Sequence, residues 1–301
     1  METRIMIKGL YTAIVTPFKK NGGIDYESLK KFLKFQSLSG VTGIVPGGTT
    51  GENPAFTDME YSQLYSFVCK QAYDSGMKVI AGCGSNSTEK AAALCKTASD
   101  CGADAALVIT PYYNKPNQDG LYRHFSEVAD KSPVPVVMYN VPSRTGVNML
   151  PETVEKLSLH ENITALKEAS GSLSQVQKII FSVNGKISII SGEDDLTYSI
   201  MALGGTGVIS VTSNVIPKQM SALVNSMLEN DFEKGLSLAK YTNEICHAMF
   251  MDTNPIPVKK ALNLMGFNMG ILRPPLYELD EKKTAMLLKV LEKYNLIQNE
   301  L

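Results

Sequence analysis

The sequence predicts an α/β architecture: a (β/α)8 TIM barrel followed by a C-terminal helical region. Three observations predict it. Apolar, β-rich runs recur at spacings of a few tens of residues, eight of them within about 220 residues. Each is followed by a helix-like segment, and no linker rich in Pro, Gly or Ser divides the series. After residue 225 the strand runs stop. Parallel strands need helical crossovers, and helices packed outside a closed sheet cover its outer face. A doubly wound open sheet shares the alternation. Its dinucleotide fingerprint fails here, because Gly82-x-Gly84 has Ser87 where the third glycine belongs.

In chain order the strand runs are Leu10–Val15, Gly43–Pro46, Lys78–Ala81, Ala105–Ile109, Val134–Tyr139, Ile163–Lys167, Ile187–Ile190 and Gly207–Val211. Between them, Thr57-Asp58-Met59-Glu60 reads as a capping box, the Thr covering an exposed N–H and the Glu reaching back. Met220, Leu223, Val224 and Met227 recur at helical spacing on one face. Leu196–Pro217 is uncharged and of membrane-spanning length, but Gly204, Gly205 and Gly207 interrupt it, which predicts buried strand and turns. Phe232–Phe250 and Asp280–Ile297 read as helices, the second with Met286, Leu287, Val290, Leu291 and Tyr294 on one stripe. The chain thus divides into a catalytic barrel, 1–225, and a helical region, 226–301.

Composition narrows the function. Of 301 residues 44% are hydrophobic and 20% charged, enough to bury a large core. Twenty-nine Lys and Arg against 30 Asp and Glu give a net charge of −1, which offers a polyanion such as nucleic acid no basic field. Met1–Lys8 has no apolar stretch of signal-peptide length, so a soluble, cytoplasmic protein without a membrane partner is expected. The five cysteines (Cys69, Cys83, Cys95, Cys101 and Cys246) form no C-x-x-C pair, and His124, His160 and His247 lie far apart. Neither a disulfide framework nor a metal site is expected from such spacing.

In a barrel, reactive groups belong where strand runs end and in the loops that follow. Three places stand out. Ile163-Thr164-Ala165-Leu166-Lys167-Glu168 puts Ile163, Ala165 and Lys167 on one face if the alternation is regular. An exposed lysine is a neutral amine in only about one molecule in a thousand near pH 7.4. Burial lowers its pKa, and a neutral amine attacks a ketone to give a Schiff base. The plainer alternative is a packed lysine paired with a carboxylate. Tyr139 ends the run Val134–Tyr139 and suits proton transfer, or is an ordinary core ring. Arg144 follows five residues on, where its planar fork can hold a carboxylate or simply face water. Gly47-Gly48-Thr49-Thr50-Gly51-Glu52 offers a tight turn with two hydroxyls beside bare N–H groups, suited to a small carboxylate. No lysine follows its last glycine, so it is not a P-loop.

Taken together, these segments resemble the dihydrodipicolinate synthase and N-acetylneuraminate lyase superfamily of class I aldolases. The resemblance spans nearly the whole chain. It includes Thr16-Pro17-Phe18, Gly48-Thr49-Thr50-Gly51-Glu52, Thr110-Pro111-Tyr112-Tyr113-Asn114, Tyr139-Asn140-Val141-Pro142, Lys167-Glu168-Ala169-Ser170-Gly171 and Gly207-Val208-Ile209-Ser210-Val211. It implies a pyruvate imine on Lys167, proton relay by Tyr139 with Thr49 and Tyr113, and a pyruvate carboxylate held near Thr50 and Ile209. It implies no metal or organic cofactor. Thr49-Thr50 and Arg144 match the synthase branch, which joins pyruvate to L-aspartate 4-semialdehyde on the route to diaminopimelate and lysine. In that branch Arg144 would take the aldehyde substrate's carboxylate. A retro-aldolase of keto-deoxy sugar acids or sialic acid is the alternative, and a non-catalytic keto-acid sensor is an alternative of another class.

Matching Tyr113 to a tyrosine donated by a neighbouring subunit implies a homo-oligomer, usually a tetramer built as a dimer of dimers. One departure bears on regulation. Lysine-inhibited members usually have histidines where this chain has Asp58 and Tyr61, and a glutamate where it has Lys90, while Asn86 and Tyr112 are retained. Feedback inhibition by lysine is therefore expected to be weak or absent.

Overall fold

The computed structural model describes residues 6–297. The first five residues of the Met1–Lys8 segment lie outside them. Eight parallel strands close into a barrel: β1 Gly9–Ala13, β2 Gly43–Val45, β3 Lys78–Gly82, β4 Ala105–Ile109, β5 Val136–Asn140, β6 Ile163–Glu168, β7 Ser188–Ser191 and β8 Gly207–Ser210. β1 pairs with β2 on one side and with β8 on the other. The closing seam is made of glycine for a steric reason. A Cβ on Gly207 would lie 2.0 Å from the Gly9 carbonyl oxygen.

Alternation along the strands sorts the apolar side chains into two layers. Tyr11, Val45, Ile80, Leu107, Val137 and Ile209 are among those filling the barrel interior. Leu10, Ile44, Val79, Val108, Met138 and Val208 point outward, into the layer shared with the helices. Burial on both faces explains why the strands read as unbroken apolar runs.

The strand bounds match the sequence reading at β4 and differ by one or two residues elsewhere. Pro46 and Pro135 have no N–H for the ladder, so β2 stops at Val45 and β5 starts at Val136. One difference matters for the site. The β5–β6 register pairs Val136 with Ile163 but Val137 with Ala165, leaving Thr164 as an extra residue. Ile163 therefore packs in the outer layer while Ala165 is inside, and the expected common face of Ile163, Ala165 and Lys167 is broken at its first member.

Several helices start at side-chain caps that the sequence supplies. Asp25, Ser87, Asn117, Ser172 and Asp231 each accept a bond from a first-turn N–H, and the Thr57–Glu60 capping box is present. Leu196–Pro217 contains a short helix, Thr197–Ala202, before β8, in addition to strand and turns. Among the described residues no helix is long and apolar enough to cross a membrane.

The helix Pro217–Leu228 carries Met220, Leu223, Val224 and Met227 on its buried face and runs across position 225. Beyond it come Phe232–Ala248, Ile256–Leu264 and Glu281–Lys293, the last capped by Asp280. Leu287 and Leu291 are fully buried and Tyr294 nearly so, but Met286 lies off that stripe and half exposed. The helix Ile256–Leu264 has no counterpart in the sequence reading. Phe18 beside it is buried between barrel and tail, bridging to Gly270. All five cysteines are free thiols.

Candidate active site

At the carboxyl ends of the strands lies a cavity of about 590 Å³. Its wall is built from the turn after β2, the ends of β5 and β6, the loops after β7 and β8, and the tail between Cys246 and Asn254.

Lys167 and Tyr139 are direct partners in the parallel β5–β6 register. Both side chains point inward from adjacent strand ends, and the Lys167 Nζ sits 4.2 Å from the centre of the Tyr139 ring. The lysine is 5% exposed. Burial lowers its pKa from 10.5 to about 8, the attraction of Asp194 opposing this and the Arg144 cation adding to it. Burial also pushes the Tyr139 phenol up to about 12, so it is a neutral O–H near neutral pH. The loop after β7 must pass close to the amine. A Cβ on Gly192 would stand 3.0 Å from the Lys167 Cε and 2.8 Å from the Ala169 Cβ, so only glycine leaves the lysine stem its path. The next residue on β6, Glu168, faces the other way and is held by Asn140 at 3.0 Å, Ser170 N–H at 3.1 Å and Gln175 at 3.2 Å.

Thr49 and Thr50 form a single 3-10 turn, Thr49–Gly51, and both line the cavity. Thr50 Oγ1 accepts from the Asn254 side-chain amide at 3.0 Å. Arg144 sits in a one-turn helix, Pro142–Thr145, directly after β5. It is exposed towards the cavity, and its Nη2 donates to the Asn254 carbonyl at 3.1 Å. Two of the residues singled out in the sequence lie elsewhere. Ile209 is fully buried inside the barrel and is not part of the cavity wall. Tyr113 is 88% exposed, with a left-handed φ of 73°, and its neighbour Tyr112 lines the cavity instead. Within one chain, then, Lys167, Tyr139, Thr49, Thr50 and Arg144 come together, and Tyr113 does not join them.

The sequence reading passed over several residues of this site. Asp194 is a buried carboxylate whose Oδ2 accepts from Val211 N–H, Thr212 N–H and Thr212 Oγ1 at 3.0, 2.9 and 3.0 Å. It therefore ties the loop after β7 to the end of β8. Glu193, beside it, accepts from Gly171 N–H at 3.0 Å, and burial raises its carboxyl to about 7. The run Gly192-Glu193-Asp194-Asp195 directly after a strand was the signal that could have found them. Asn254 and its neighbours had no local signal, since they come from the tail. Among the described residues, no three His, Cys, Asp or Glu side chains are grouped as metal ligands.

The dihydrodipicolinate synthetase family model matches residues 6–294. A 4-hydroxy-tetrahydrodipicolinate synthase from Methanocaldococcus jannaschii is 48% identical over 293 residues, covering 97% of this chain and all of that protein. The chloride-inhibited dihydrodipicolinate synthase from Acinetobacter baumannii, solved with pyruvate, is 39% identical with a TM-score of 0.95, covering 97% of this chain and all of that one. A monomeric dihydrodipicolinate synthase variant is 42% identical with a TM-score of 0.94, covering 97% of this chain and 98% of that one. Motifs, barrel and full-length similarity agree: this chain belongs to the dihydrodipicolinate synthetase family.

Proposed function

We propose that this chain is a class I, Schiff-base lyase that condenses pyruvate with L-aspartate 4-semialdehyde to give 4-hydroxy-tetrahydrodipicolinate. The observation that carries this reading is the buried Lys167 amine beside Tyr139 at the mouth of the barrel, with Arg144 on the same cavity.

With a pKa of about 8, about one Lys167 in five is neutral near pH 7.4, against about one in a thousand for an exposed lysine. The neutral amine attacks the ketone of pyruvate. Loss of water gives a protonated imine, an electron sink that lets a methyl proton leave and an enamine form. Tyr139, neutral and within reach of the amine, transfers protons in these steps, with Thr49 and a partner subunit's tyrosine continuing the relay. N–H groups and hydroxyls of the Thr49-Thr50 turn bind the pyruvate carboxylate. The enamine carbon then adds to the aldehyde of the second substrate, whose carboxylate pairs with the Arg144 fork. Attack of that substrate's amino group on the imine carbon closes the ring and expels Lys167. No metal or organic cofactor enters this sequence. We assign the active form to a homo-oligomer, with Tyr113 exposed for donation across an interface, and the site of action to the cytoplasm.

The test is borohydride reduction with pyruvate, read by intact mass, followed by turnover with aspartate semialdehyde. A pyruvate-sized adduct, absent in Lys167→Ala, together with turnover is expected. An adduct without turnover would move the substrate to a keto-deoxy sugar acid. No adduct would leave a keto-acid-binding protein.

A further inference from the structure

We infer that the buried Glu52–Lys259 ion pair is a positioning device: it holds the tail loop carrying Asn254 against the Thr49–Gly51 turn, and through Asn254 sets Arg144 for the second substrate. This rests on the function proposed above and assigns a task to residues outside the cavity wall.

Glu52 directly follows the threonine turn and is itself in the left-handed region, with φ 63°. Its two oxygens are both engaged. Oε1 accepts from the Lys259 Nζ at 2.7 Å, and Oε2 accepts from the Arg273 backbone N–H at 2.8 Å. Lys259 also donates to the Thr16 carbonyl, just past the end of β1, at 3.0 Å, and lies 4.3 Å from the centre of the Phe18 ring. Both members of the pair are nearly inaccessible, at 3% and 1% exposure. Arg273 in turn is fastened to the carbonyls of Gly22 and Ala55 and to the Glu60 carboxylate.

A buried ion pair is a poor way to gain stability, because apolar side chains of the same volume do as well or better. It does fix direction and distance, which dispersion contacts leave loose. Here the fixed element matters. The helix Ile256–Leu264 that carries Lys259 begins two residues after Asn254. Among the described residues, Asn254 is the one tail residue that bonds both halves of the site, to Thr50 through its side-chain amide and to Arg144 through its carbonyl. Arg144 is exposed, so the direction of its fork depends on that carbonyl. Releasing Lys259 from Glu52 therefore loosens the second-substrate half, while Lys167 stays on its strand.

Lys259→Met keeps the unbranched shape, one atom shorter, and removes the charge. Imine trapping at saturating pyruvate is expected to go to completion, as in the wild type, while the KM for aspartate semialdehyde rises about tenfold or more. Glu52→Gln keeps the shape but only one of the two acceptors, because its amide NH2 cannot accept from the Lys259 Nζ or the Arg273 N–H. It serves if the first variant does not fold, and a smaller rise in the same constant is expected. A melting temperature that falls while this KM stays within twofold in both variants would make the pair structural only and overturn the inference. A proportional loss of trapping and turnover would do the same. Failure of the wild type to trap pyruvate would instead remove the proposed function, and this inference with it.

Discussion

Lys167 carries a cost that the proposed imine chemistry requires. In the unfolded chain its pKa is near 10.5, and in the fold it is about 8. Between those values the unfolded state binds the extra proton, so stability rises with pH there, and the full penalty is present below about 8. A fall of that size corresponds to roughly 3 kcal/mol. Lys167→Met is therefore expected to be inactive yet more stable than the wild type at pH 7 by about 2–3 kcal/mol, the gap closing by pH 10.5. Urea unfolding of both proteins at pH 7 and pH 10.5 reads this, and a Met variant no more stable at pH 7 would show that the amine is not desolvated. Adduct formation at limiting pyruvate should rise through pH 8 and level off above it. Lys167 and Tyr139 were legible in the sequence because each ends an apolar strand run. Asp194 shows in the sequence only as part of an acidic run after β7; its importance lies in three donors from the end of β8.

At the level of strands and helices, local patterning carried far but not everywhere. The Thr57 capping box was readable, because it needs only neighbours in sequence. The bulge at Thr164 was not, since a register shift is defined by the strand alongside. Two helix starts also bear on regulation. Lys90 occupies the first turn of Thr88–Asp100, where the unpaired N–H groups already favour an anion. Tyr61, in Asp58–Asp74, spends its hydroxyl on the Asn53 carbonyl at 2.9 Å. At the effector position that the resemblance implies, an ammonium would meet the Lys90 cation instead of a carboxylate. Steady-state activity is accordingly expected to be unchanged across sub-millimolar lysine, and strong inhibition in that range would refute the assignment.

For the assembled protein the exposed tyrosine is the informative feature. Tyr113 is 88% exposed beside a cavity that lacks it. If each subunit donates this ring to its neighbour, two defective chains can repair one another. Co-expressed Tyr113→Phe and Lys167→Ala chains, each nearly inactive alone, should give about a quarter of wild-type activity, since half the dimers are hybrids and each hybrid has one intact site. A mixture no more active than its parents would place the relay within a single chain.

The sequence alone was enough for the barrel, the strand-end lysine and tyrosine, the threonine turn and the arginine loop. Strand alternation, strand length and turn chemistry are local properties, and barrel topology fixes which strand ends share a mouth. Only the tertiary structure decided that the helical tail returns to form one wall, that Asn254 bridges Thr50 and Arg144, and that Ile163 faces outward. Each of these depends on contacts between segments apart in the chain, as with the 207 residues between Glu52 and Lys259. Such pairs leave no periodicity behind, because packing in three dimensions, not spacing along the backbone, selects them.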